Sequence, residues 1–205
     1  MSRHPGQWLS LWLACLISPA SHADIILTGP TLQPNSLSLQ VGSLSVIDRV
    51  RFDVSSVLAG NGTQIVGVPS TTTGSQINSV LVRLVSNAYG TGAGLPPQIT
   101  LTADSSGGLT CVTTGCAGQV LPFNQIGWTS YDHTLNSGGG SASTTADIAS
   151  GRFDGSASQR LLSYRSGSSA MASATISNSL VFHYLNPPRL AGTYQGRVTF
   201  TAVQF

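Results

Sequence analysis

The chain of 205 residues has no lysine and no glutamate; nine arginines and seven aspartates carry its formal charge. Each absence removes a class of chemistry. Without lysine there is no phosphate-loop lysine and no Ser-x-x-Lys nucleophile. Without glutamate, and with the aspartates scattered along the chain, no paired-carboxylate glycosidase site is visible. Charged residues make up 8% of the chain, against roughly 25% in ordinary soluble proteins. The net charge of +2 leaves no basic footprint for nucleic acid. Other catalytic signatures are missing too. There is no Gly-x-Ser-x-Gly elbow. Gly90-x-Gly92-x-Gly94 lacks phosphate-loop spacing and runs into prolines rather than a helix. Asp147 and Asp154 are too sparse for a calcium loop. The residues beyond the leader hold two histidines, His133 and His183, both read as structural or surface groups. These absences predict a non-catalytic protein with no cofactor and no metal.

The long apolar run of the chain lies at its start. A weakly basic beginning (Arg3, His4) precedes an apolar stretch over 9–17, and Ser21-His22-Ala23 follows with small residues at the cleavage positions. This is the pattern of a secretory signal peptide, so residues 1–23 are set aside from the fold. A lipoprotein acylated on Cys15 is the rival reading, but Trp12 stands where a lipobox wants a small aliphatic residue. No later run approaches the roughly 18 apolar residues of a membrane helix. The expectation is export to the periplasm, the cell surface or the medium. Removal of the leader leaves 182 of the 205 residues, enough for one β-domain over 24–205.

What fills the chain is Ser, Thr, Gly and Asn, which suit turns and pleated sheet, while strong helix formers are scarce. Cys111 and Cys116 remain after the leader. In an oxidising compartment this spacing predicts a disulfide across a hairpin or tight loop, contributing about 2 kcal/mol. Strands are expected at roughly 8–14-residue intervals with turn signals between them, the pattern of a sandwich or barrel. Val50, Phe52 and Val54 share a face, and Gly60-Asn61-Gly62 makes a turn. Residues 80–85 are apolar on both faces, as in a central, doubly covered strand. Residues 160–164 are ambiguous between strand and short helix, and 172–176 read as a weak strand. Trp128, the one tryptophan beyond the leader, is either a core plug between sheets or a ring on which a ligand stacks.

The ending is the clearest stretch. After a break at Asn186-Pro187-Pro188, Tyr194, Val198, Phe200 and Ala202 alternate with Gln195, Arg197, Thr199 and Thr201. This period of two predicts one long closing strand with Tyr194, Val198 and Phe200 facing the core. Gly192-Thr193-Tyr194, Val198-x-Phe200-x-Ala202 and the terminal Phe205 resemble the closing strand of bacterial pilin subunits of the chaperone–usher type and of spore-coat-U-type secreted domains. The resemblance implies an antiparallel immunoglobulin-like or jelly-roll-type β-sandwich. It also implies association with other subunits or a periplasmic chaperone by β-strand addition. Residues 24–41, with alternating Leu37, Leu39 and Val41, are a candidate donor strand or else the domain's own first strand. The expectation is an exported structural or surface-assembly subunit, pilin-like. The alternative is a secreted carbohydrate- or surface-binding module using the glycine-rich loops at 87–97 and 137–145.

Overall fold

The computed structural model describes residues 36–44, 48–55, 57–89, 98–116, 118–137, 146–167 and 171–205, with backbone alone at 88, 89, 171 and 172. The expected cleavage site and the Gly/Ser-rich run at 138–145 lie outside these residues. The described chain is all-β, and its strands follow in order as β1 (Ser36–Val41), β2 (Val50–Arg51), β3 (Ile65–Val66), β4 (Val68–Pro69), β5 (Ser79–Tyr89), β6 (Gln98–Asp104), β7 (Leu109–Cys111), β8 (Val120–Leu121), β9 (Ile126–Ser137), β10 (Gly151–Arg152), β11 (Gln159–Arg165), β12 (Met171–Tyr184), β13 (Tyr194–Gly196) and β14 (Thr199–Gln204). Two short 3-10 turns interrupt them, at Thr114–Cys116 and Phe123–Gln125.

Two antiparallel sheets pack into a sandwich. The larger has the order β1-β5-β12-β9-β10, with β3 also on β12; the smaller is β11-β6-β14. A three-stranded patch, β13-β7-β8, and the β2–β4 pair lie beside them. Alternation places Val80, Val82 and Leu84 of β5 and Ala174, Ile176, Leu180 and Phe182 of β12 inside. They join Ile99, Leu101 and Ala103 of β6 and Leu162 and Tyr164 of β11 in one apolar cluster. Burial of each large apolar side chain stabilises by about 1.5–3 kcal/mol. Between β9 and β11 the chain crosses from one sheet to the other, and it plugs that side with Ala146, Ile148 and Phe153. The Phe153 ring stacks on Phe182 at 6.2 Å and tilts against Trp128 at 5.0 Å.

Several expectations are corrected. The closing strand is not continuous: β13 pairs with β7 and β14 with β6, in different sheets. Gly196 permits the switch, because a Cβ there would stand 2.3 Å from the Gly108 carbonyl oxygen. Tyr194 is accordingly outside the main core; its half-buried ring sends the hydroxyl to Gln119 and to the Leu190 carbonyl. Val198 and Phe200 do pack on the core, but as half-buried edge residues. Residues 172–176 are no weak strand but the start of β12, the 14-residue centre of the larger sheet. Residues 160–164 are strand β11 and not helix. β5 is central as expected, yet its outer face is incompletely covered, with Arg83 exposed. Val54 lies outside β2 and is 37% exposed.

Candidate functional site

β14 lies at the edge of the smaller sheet and β1 at the edge of the larger, and the two run close together along one side of the sandwich. They do not pair with each other; β1 pairs only with β5 and β14 only with β6 among the described residues. Phe205 exchanges both backbone hydrogen bonds with Gln98, at 2.9 and 3.2 Å. In an antiparallel ladder such pairs alternate, so Val203, Thr201 and Thr199 also bond towards β6. Phe200, Ala202 and Gln204 then direct their N–H and C=O groups outward, where no described strand receives them. Their side chains face the interior and are only half-buried. Opposite, every residue of β1 is likewise half-buried, with Leu37, Leu39 and Val41 resting on the core. Among the described residues this side carries a row of backbone groups with no strand partner above incompletely covered apolar side chains, the features of a sandwich edge that accepts a further strand. Near its end the Ser86 hydroxyl donates to Gln204 Oε1 at 2.5 Å and ties β14 to β5 across the sandwich.

The last third of the candidate donor, residues 36–41, is this chain's own β1, in register with β5 from Ser36↔Asn87 to Val41↔Val82. The rest, 24–35, lies outside the described residues. Trp128 is a core residue, 4% exposed. Its indole N–H donates to the Ala149 carbonyl at 2.9 Å, so neither ring face is offered to a ligand. Cys111 and Cys116 form the expected disulfide, with Cα atoms 5.7 Å apart. It staples the loop joining β7 and β8, and Gly192 packs so closely that a Cβ there would overlap the Cys116 sulfur. The disulfide and Trp128 therefore lie apart from the open edge, while Phe200 of the expected closing strand and Leu37, Leu39 and Val41 of the expected donor line it.

Other polar groups are occupied structurally. The Asp132 carboxylate, on a residue with φ of 51°, accepts from Gln76 Nε2 at 2.9 Å and from the Ser75 hydroxyl. These two bonds, Gln76's first, hold its pKa below the ordinary carboxylate value. His133 Nε2 meets the Ala146 carbonyl at 2.8 Å. His183 lies on the outer face of β12, opposite Phe182 and Tyr184, and burial pushes its pKa below the ordinary 6.5. An open cleft of about 360 Å³ lies among Asn124, Gln125, Arg152, Phe153, Asp154 and Leu185. There the Gln125 amide donates to Asn124 Oδ1 and the Asp154 carboxylate accepts the Ser156 N–H, so the polar walls are largely bonded to themselves. Among the described residues no cluster of three or more His, Cys or Asp side chains could hold a metal ion, and no helix is long and apolar enough to cross a membrane.

Sequence reasoning missed Ser86 and Gln204 at the edge, and Asn178 and Asn186 elsewhere. A signal existed for each of them. Ser86 has the inward parity of Val82 and Leu84, Gln204 that of Phe200 and Ala202, Asn178 that of Ile176 and Leu180, and Asn186 precedes two prolines. Polar residues at apolar parity are where buried hydrogen-bond partners should be sought. Comparison with protein-family models, curated proteins and solved structures finds no match for this chain.

Proposed function

We propose that the protein is an exported, non-catalytic structural subunit of a surface assembly, pilin-like, that joins its neighbours by β-strand addition along the outer edge of β14. The observation that carries this reading is the outward-facing backbone of Phe200, Ala202 and Gln204 above half-buried side chains, beside an equally open β1. An incoming extended segment would satisfy those backbone groups and cover Phe200 and Ala202. The segment belongs to another subunit or to a periplasmic chaperone, and residues 24–35 of a second copy, which lead directly into β1, are the candidate donor.

The test separates the two edges of one strand. Ala202→Pro removes an N–H from the outer edge and leaves the ladder to β6 intact; edge strands tolerate proline in that position. Thr201→Pro removes an N–H that bonds to β6 and should damage the fold itself. The expected result is that wild-type protein forms concentration-dependent oligomers on light scattering, while Ala202→Pro stays protease-resistant and monomeric. Oligomers of undiminished size from folded Ala202→Pro would reject the edge as the joint.

A further inference from the structure

Asn61-Gly62 is the only Asn-Gly pair in the sequence. In such a pair the backbone nitrogen of the glycine can attack the asparagine side-chain carbonyl carbon. A five-membered succinimide forms and ammonia leaves; water then opens the ring to aspartate or isoaspartate. The steps need no oxidant, reductant or cofactor, and the absence of a side chain on glycine makes the approach easy. Asn61 is exposed, so water and hydroxide reach it. What opposes the reaction here is one buried residue just beyond a distant strand, through both its side chain and its backbone carbonyl.

Asn186, two residues beyond the end of β12, is 2% exposed and adopts a φ of 51°. Its Nδ2 donates to the Leu58 carbonyl at 2.6 Å and to Asn61 Oδ1 at 3.2 Å. Its Oδ1 accepts the Gly60 N–H at 3.1 Å, and its backbone carbonyl accepts the Gly62 N–H at 3.1 Å. Asn61 Oδ1 also accepts the Thr63 N–H at 2.9 Å. Both reacting groups are therefore engaged: the Gly62 nitrogen keeps its proton in a bond to Asn186, and the Asn61 carboxamide is held by two donors. Cyclisation requires Gly62 to lose that proton and to turn towards the Asn61 carbonyl carbon, which the native loop does not permit.

We infer that Asn61 is a site of spontaneous deamidation gated by Asn186, whose contacts hold the loop over residues 58–62 in an unreactive form until it opens locally. Conversion to isoaspartate inserts a methylene into the backbone and a negative charge beside Asn186. The loop then cannot regain its bonds, so each event records an opening irreversibly. In a long-lived exported protein this makes the loop a marker of age.

Chemistry confined to an open state proceeds in proportion to the population of that state. Folded full-length protein and a peptide spanning 57–65 are incubated together in mildly alkaline buffer, and amide-to-acid conversion at Asn61 is followed by peptide mass mapping. Gly62 amide exchange is read on the same protein samples. Wild-type protein should convert at least about tenfold more slowly than the peptide, because loop opening is a minor state. Asn186→Gly keeps the positive φ and deletes the amide; Asn186→Asp keeps an acceptor for Gly60 but sets an anionic oxygen against the Leu58 and Asn61 oxygens. Both should raise the conversion rate and the Gly62 exchange rate together. Val82→Ala, a core change remote from the loop, should raise neither to the same extent. Conversion of folded wild type at the peptide rate overturns the inference. So does an absence of acceleration in both Asn186 variants, or an equal acceleration in Val82→Ala.

Discussion

Replacing Asn178 with alanine should cost about 3–5 kcal/mol, a large share of a typical domain's margin of about 5–15 kcal/mol. Asn178 is 1% exposed on the inner face of β12. Its Nδ2 donates to Ser130 Oγ at 3.0 Å on β9 and to Asp147 Oδ1 at 2.6 Å on the crossing segment. Its Oδ1 accepts the Ile148 N–H at 3.4 Å. A net side-chain hydrogen bond contributes about 1 kcal/mol, and a buried donor left without a partner costs about 1–3 kcal/mol. Ile148 is itself buried, so its amide falls in the second category. Together these give a loss of about 3–5 kcal/mol for Asn178→Ala. Urea unfolding followed by the fluorescence of Trp128 reads it, since that ring is buried beside the same segment. With a slope of about 1–3 kcal/mol per molar urea, the midpoint should fall by about 1–5 M. Asn178→Leu separates polar from packing effects, because it restores apolar volume yet leaves the Ile148 N–H unpaired. A loss below about 1 kcal/mol in both variants would show that hydrogen bonding does not hold the crossing segment, and would refute the reasoning.

Val198→Asp should destabilise strongly by placing an unpaired charge against the core, whereas Thr199→Asp, on the exposed face, should cost far less; protease resistance of the two compares them. Gly196→Ala should detach β13 from β7, since its methyl would meet the Gly108 backbone rather than a movable side chain; loss of protection at Leu109–Cys111 in hydrogen exchange reads it. The depressed pKa of His183 means that the unfolded chain binds the proton more readily. Its contribution to stability is therefore complete above the ordinary value of 6.5 and declines as pH falls below it towards the folded-state pKa. The unfolding midpoint should drop across that acid window, and His183→Gln should flatten the drop. Reduction of Cys111–Cys116 should lower stability by about 2 kcal/mol without abolishing the sandwich, measured as the shift in urea midpoint with and without reductant.

The all-β class was legible from the residues alone, because period-two alternation in 99–103, 180–184 and 198–202 needs no knowledge of partners: it is a property of the pleat. The disulfide was legible too, since two cysteines in one short loop have few alternatives. Alternation placed His183 opposite Phe182 and Tyr184, and that parity holds in β12. Partnership was another matter. Tyr194 and Phe200 share a parity, and only tertiary structure sent one to the β7 patch and the other to the smaller sheet; the close approach of Gly196 to Gly108 is non-local. Asn178 and Asn186 could not be matched to partners in the sequence, because the groups they satisfy lie far off, at Ser130 and Asp147 in one case and Leu58 to Gly62 in the other. Trp128 could be plug or platform until Ala149 and Phe153 closed over it. The open edge was least legible of all. Alternation tells which face of β14 is inward, but whether a strand has one neighbour or two depends on how the sheets are ordered. Only the chain's path in space, which sets β14 beside β6 and leaves its other side without a described strand, decides that.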